Sequence, residues 1–177
     1  VNEAVGDGGE IDGHFDIVDS LDYEAELAVI IGKDAKDVPA EKAREYVFGY
    51  TIINDVSARN IQDRHSQWYF GKSLDTFTPM GPCIVTANEI AYPPKLKIQS
   101  RVNGELRQDS NTELLIFGID HIISELSRGM TLKAGTIIST GTPSGVGIGF
   151  TPPVFLKSGD EVECIVEGIG SIKNRVK

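Results

Sequence analysis

The hydrophobic pattern along the chain is that of short strands. Residues 23–31 alternate at first, with Tyr23, Ala25, Leu27 and Val29 on one side and Glu24, Glu26 and Ala28 on the other, the period of two expected of a strand. Residues 50–54 are β-branched and apolar enough for a buried strand and run directly into residues 55–62, whose composition is helical. Further strands are predicted at 83–86, 136–139, 161–166 and 171–176, the last two joined through Gly168 and Gly170. Between the strand-like arms of residues 97–108, Asn103-Gly104 marks a type I′ hairpin, because both central residues accept positive φ. Pro39 opens a short helix over 39–47, with Ala43, Tyr46 and Val47 facing inward and Gly49 ending it. Ser110 and Glu113 have the spacing of a capping box, after which Leu115, Ile119, Ile122 and Leu126 recur at helical intervals until Gly129. Residues 68–82, with Gly71, Pro79 and Gly81, and residues 140–153 read as loops. The expected class is mainly β with a few helices, α+β.

Composition narrows the picture. A chain of 177 residues, 40% hydrophobic and 24% charged, buries enough surface for one core without a disulfide or structural metal. We read residues 1–20 as a lead-in and 21–177 as a single domain; the start at Val1 rather than Met is read as that of a piece of a longer polypeptide. The 17 Lys and Arg against 26 Asp and Glu leave a net charge of −9, and the basic residues form no cluster. Nucleic acid and anionic membrane are therefore excluded as partners, since both require a concentrated positive patch; a cation is favoured. No window approaches the ~18 apolar residues of a membrane span, and residues 1–13 are acidic and Gly-rich rather than basic then apolar. Cys83 and Cys164 lie in apolar runs and are read as small hydrophobes in a reduced, cytoplasmic setting.

Two segments carry candidate chemistry. Glu24 and Glu26, two apart on a strand, project from one face about 7 Å apart at their Cα atoms, a spacing that can chelate one ion. Flanking Ala25, Leu27, Val29 and Ile30 point to a covered strand, where two anions need a counter-charge; on the motif alone, an exposed edge with two solvated glutamates is equally open. Asp55, Arg59 and Gln62 fall at i, i+4 and i+7, one face of a helix, and taken alone this is an ordinary ion pair on a wet helix. Together the segments offer three carboxylates, a set that suits Mg2+ or Mn2+ rather than Zn2+, which prefers His or Cys. Lys72, between Gly71 and Ser73, is either partly buried or a solvated loop lysine. Residues 140–145 are either an anion-holding turn or a plain connection. They are not a P-loop, and the later glycines lead to Pro152 and Pro153 rather than a helix, which excludes a dinucleotide fingerprint. His14, His65 and His121 lack metal-ligand spacing; His65, three residues after Gln62, is the one to test as a proton carrier. Neither a Ser-centred nucleophile elbow nor a catalytic-Cys context is present.

YEAELAVIIGK at 23–33, GYTIINDVSARNIQ at 49–62, Gly71-Lys72-Ser73, Val102-Asn103-Gly104-Glu105, Thr140-Gly141-Thr142-Pro143 and Gly159-Asp160 together resemble the fumarylacetoacetate hydrolase family. Each motif alone is weak, but six in the same order are specific, and they cover the chain from about residue 20. The resemblance implies a mixed β-sandwich roll like the family's C-terminal domain, a homodimer, Mg2+ or Mn2+ as cofactor, and a small 2-oxo acid as substrate. By position it assigns Glu24, Glu26 and Asp55 to the metal and Arg59, Gln62, Lys72 and Thr142 to the substrate side, with Lys72, Arg59 and Gln62 taking part in catalysis. The implied chemistry is hydrolysis or decarboxylation across a carbon–carbon bond through a metal-stabilised enolate, as for acylpyruvates or oxaloacetate. Isomerisation of unsaturated 2-oxo diacids at the same ion is the alternative. Members of this kind carry an upstream Asn-Tyr-x-x-His segment with a nearby Glu that activates water, and these 177 residues do not contain it. That departure leaves a third reading, a non-catalytic module that binds small acids.

Overall fold

The computed structural model describes residues 3–177. In chain order the elements are β1 (Glu10–Ile11), β2 (Leu21–Asp22), β3 (Ala25–Ile31), a 3-10 helix (Ala40–Tyr46), β4 (Val47–Asn54), β5 (Ser57–Ala58), α1 (Arg59–Arg64) and α2 (Tyr69–Lys72). There follow β6 (Met80–Thr86), β7 (Lys97–Val102), β8 (Glu105–Asn111), a 3-10 turn (Thr112–Leu114), α3 (Ile119–Gly129), β9 (Ile137–Ser139), a second 3-10 turn (Gly147–Gly149), β10 (Glu161–Val166) and β11 (Gly170–Val176). A five-stranded sheet runs β1-β11-β10-β7-β8, a four-stranded sheet runs β6-β4-β3-β9, and β2 pairs with β5. The architecture is the expected one, mainly β with few helices.

Burial follows from the layers. Strands β7, β10 and β11 alternate between buried and accessible positions, each giving one face to the core through residues such as Ile98, Val162, Cys164 and Ile172. Strand β3 is different. It lies between β4 and β9 and is buried at all seven positions, so an acidic side chain on it has no solvated edge to occupy. The open-edge reading of Glu24 and Glu26 is overturned by this placement.

Several boundaries differ from the sequence reading for identifiable reasons. The strand expected over 23–31 is interrupted, because at Tyr23 and Glu24 the backbone N–H groups donate to the side chains of Asp22 and Asn54 rather than to a ladder. The helix expected from Asp55 starts at Arg59; Ser57 and Ala58 first pair with Asp22 and Leu21. The loop over 68–82 contains α2, and its end belongs to β6, where Met80 pairs with Ile53. Ser110 does not cap a helix: it pairs with Ile98 in β8, the Asn111 side chain accepts from the Glu113 N–H, and α3 begins at Ile119. Gly49 lies inside β4 rather than ending a helix, and there a Cβ would stand 2.4 Å from the Val85 carbonyl oxygen. The Asn103-Gly104 hairpin forms as expected, with φ of 51° and 82°. Cys164 is buried but Cys83 is exposed, so only the former acts as a small core hydrophobe. Among the described residues no helix is long and apolar enough to cross a membrane.

Candidate metal centre and substrate pocket

The site forms where the start of β3 lies beside the end of β4. Glu26 lies opposite Ile53 on β4, Glu24 immediately precedes β3, and Asp55 immediately follows β4, held by its backbone N–H donating to the Glu24 carbonyl at 2.9 Å. One carboxylate oxygen from each of Glu24, Glu26 and Asp55 lies within 4.8 Å of the others. Glu24 and Glu26 are only 8% and 3% exposed. Asp55 reaches the cluster from the strand end, not from a helix face, so the i, i+4, i+7 geometry is replaced by a turn; Arg59 and Gln62 do share α1.

Two cations stand against this acidic group. Lys72, at the end of α2, donates from Nζ to Asp55 Oδ2 at 2.6 Å, Glu24 Oε2 at 3.0 Å and Ser57 Oγ at 2.9 Å, so it is a partly buried member of the cluster and not a solvated loop lysine. Arg59 Nη1 forms an ion pair with Glu24 Oε1 at 2.7 Å and donates to Gln62 Oε1 at 3.0 Å. Behind it lies a residue the sequence reading missed: Asp22, wholly buried, accepts from Arg59 Nε at 2.9 Å and pairs with Nη2 at 2.9 Å. Its place two residues before Glu24 continues the acidic alternation that drew attention to Glu24 and Glu26, and that was the available signal.

The electrostatics are unbalanced. Four carboxylates, those of Asp22, Glu24, Glu26 and Asp55, face two cations, Arg59 and Lys72, which leaves two negative charges if all are ionised. Glu26 accordingly has its pKa pushed up to about 8 by burial, then by the Asp55 and Glu24 charges, against the opposing Gly141 N–H and Lys72. Asp55 is raised by burial, only partly offset by Lys72. Burial alone would lower the pKa of Lys72 and of Arg59, but their carboxylate partners outweigh it and both end up raised. A hard dication meets this site on both counts: oxygen-only donors and a charge deficit of matching size.

The loop after β9 closes one side. Gly141 N–H donates to Glu26 Oε2 at 2.7 Å, so this amide of the turn is taken by a carboxyl group of the protein itself. Thr142 is adjacent, but its hydroxyl donates to the Ala25 carbonyl at 3.0 Å and accepts from Gln108 Nε2 at 2.8 Å. It lines a separate apolar cavity of about 260 Å³ with Leu27, Leu115 and Phe117. Gln108, fully buried on β8, was also missed, and one polar residue within a strand offers no signal in sequence. The cavity at the acidic cluster, about 500 Å³, is lined by Asp55, Lys72, Tyr69, Ile53, Met80 and Ile137 among others. His65 is exposed, packs edge-on against Phe70 at 5.8 Å and takes no part in the site's hydrogen bonds.

Fold and site together define a β-rich domain with a buried cluster of three carboxyl groups, a candidate cation site, beside an open pocket. The family model described as Fumarylacetoacetate (FAA) hydrolase C-terminal matches residues 2–177, and the chain belongs to this family. It is 52% identical over 171 residues to oxaloacetate tautomerase YisK of Bacillus subtilis, a match covering 97% of this chain and 57% of that protein. Among solved structures, a fumarylacetoacetate hydrolase from Exiguobacterium antarcticum superposes with a TM-score of 0.96 at 50% identity, covering 98% of this chain and 62% of that one. A 5-carboxymethyl-2-hydroxymuconate delta-isomerase from Mycobacterium smegmatis gives a TM-score of 0.87 at 42% identity, covering 98% and 64%. The chain thus spans less than two thirds of the length of these relatives.

Proposed function

We propose that this chain is the metal-bearing domain of an enzyme that acts on a small 2-oxo acid at the carbon next to its oxo group. The observation that carries the reading is the convergence of Glu24, Glu26 and Asp55 in a site that sets four carboxyl groups against two cations. Mg2+ or Mn2+, held by these three residues, would supply Lewis acidity to the substrate's oxo and carboxylate oxygens. The chain's own part is to bind and orient. Lys72 lines the pocket and, with its three N–H donors given to Glu24, Asp55 and Ser57, offers an anionic substrate its positive charge rather than a free hydrogen; Arg59 adds positive potential; Gln62, 6% exposed, braces Arg59 rather than reaching into open space. Such groups, fixed before the reaction, stabilise charge that develops on substrate oxygens.

Carbon–carbon cleavage and proton migration both make that demand. The 52% identity to a protein named oxaloacetate tautomerase favours proton migration as the net reaction, and the hydrolase from Exiguobacterium keeps hydrolysis or decarboxylation as the second reading. The same proposal takes the working form to be a homodimer. Oxaloacetate with Mg2+ or Mn2+ tests it. Faster relaxation of the enol's ultraviolet absorbance, lost in Glu26→Gln, is the expected result; release of carbon dioxide or pyruvate would move the assignment to cleavage, and no change of any kind would leave a binding module.

A further inference from the structure

Arg59 is held far more completely than a residue whose task is only to meet substrate. All three nitrogens of its guanidinium are engaged: Nε donates to Asp22 Oδ2 and Nη1 to Gln62 Oε1, while Nη2 and Nη1 form ion pairs with Asp22 Oδ2 and Glu24 Oε1. Asp22 itself is saturated. Besides Arg59, it accepts from the N–H groups of Tyr23 at 2.9 Å, Gly147 at 2.6 Å and Ile148 at 3.0 Å. The approach of Gly147 is built for this contact: a Cβ there would stand 2.7 Å from Asp22 Oδ1 and 2.3 Å from the Val154 carbonyl oxygen. The adjoining turn is fixed to the same strand by the Tyr23 hydroxyl, which donates to the Gly145 carbonyl at 2.8 Å.

We propose that Asp22 is a positioning residue that sets the roll of the Arg59 guanidinium, aiming Nη1 at Glu24 and Gln62 and fixing the positive charge that Arg59 offers the substrate, and that it couples this orientation to the turn at Gly147 and Ile148. The inference deepens the functional reading above and rests on it for the use of Arg59, but not for its holding. Asparagine in place of Asp22 keeps the size and removes the charge. It also puts an amide NH2 either against the Arg59 donors or against the backbone N–H groups, so one set must lose its acceptor.

The test has two arms. In the first, hydrogen exchange of the Arg59 Nε–H is followed by nitrogen-15 NMR on the protein alone, the signal being assigned by its loss in Arg59→Gln. Slow exchange in the wild type, accelerated roughly tenfold or more in Asp22→Asn, is expected from loss of a charge-assisted hydrogen bond; unchanged exchange overturns the proposal. In the second, Mn2+ affinity and oxalate affinity in saturating Mn2+ are measured for the wild type, Asp22→Asn, Arg59→Gln and the double variant. Asp22→Asn should weaken oxalate roughly tenfold with little effect on Mn2+, and the double variant should be no worse than Arg59→Gln, because residues acting through one another are not additive. Additive losses overturn it, as does failure of both Asp22→Asn and Asp22→Glu to fold where Arg59→Gln folds, since the carboxylate then serves the fold. A wild type that binds neither Mn2+ nor oxalate defeats the functional reading, while the exchange arm still decides for or against Asp22.

Discussion

Lys72 Nζ stands 2.6 Å from Asp55 Oδ2, the shorter of its two contacts with the acidic trio, and this one pair joins the helix that ends at residue 72 to the strand that ends at Asn54. Its removal exposes how far the site depends on internal counter-charge. Lys72→Met leaves two partly buried carboxylates without their ammonium, and the metal-free protein should lose about 2 kcal/mol in urea unfolding. Saturating Mg2+ should restore more stability to the variant than it adds to the wild type. Equal unfolding midpoints for the two metal-free proteins would contradict this.

The acidity of Glu26 gives stability a pH dependence of definite sign. Its pKa in the folded protein is about 8 against an ordinary 4.5, so the folded form keeps a proton that the unfolded chain has released. Stability of the metal-free protein should therefore fall as pH rises from about 4.5 to about 8 and change little from this group beyond; Asp55, also raised, acts in the same direction. Stabilisation by a divalent cation should grow across the same interval, because the ion must displace that proton. Urea midpoints from about pH 5 to about pH 8, with Glu26→Gln as the control that flattens the slope, check both.

Gly71 is where backbone packing sets the site's geometry. A Cβ there would lie 2.7 Å from Gln62 Cγ and 3.1 Å from the Ala58 carbonyl oxygen, so the helix holding Lys72 sits on Arg59–Arg64 only because this residue lacks a side chain. Gly71→Ala should cost about 1–3 kcal/mol through overpacking and should weaken oxalate binding in Mn2+ more than binding of Mn2+ itself, since it displaces Lys72 and Gln62 but none of the three acidic residues. Isothermal titration separates the two affinities.

What could be read from sequence was what depends on local period. The two-residue spacing of Glu24 and Glu26, the hairpin at Asn103-Gly104 and strands β7, β8, β10 and β11 of the larger sheet follow from alternation and turn chemistry. Placements that depend on distant partners were not legible. The neighbours of Asp55 favour a helix, but Ser57 and Ala58 are drawn into pairing with Asp22 and Leu21. Ser110 has capping chemistry, yet the register of the hairpin carries it into a strand opposite Ile98. The burial of Lys72 and the role of Gln108 in holding Thr142 arise from contacts 15 to 48 residues apart, beyond the reach of any periodic pattern.

On the function proposed above, three carboxylates from the margins of two neighbouring strands gather one dication. Titration of the protein with Mn2+, followed by the electron paramagnetic resonance of the free ion, tests it without reference to any substrate. We expect one ion bound per chain, displaced by Mg2+, with affinity reduced by at least two orders of magnitude, or about 2.7 kcal/mol, in Glu26→Gln and in Asp55→Asn. A wild type that leaves the Mn2+ signal undiminished, or variants that bind as tightly as the wild type, would contradict it.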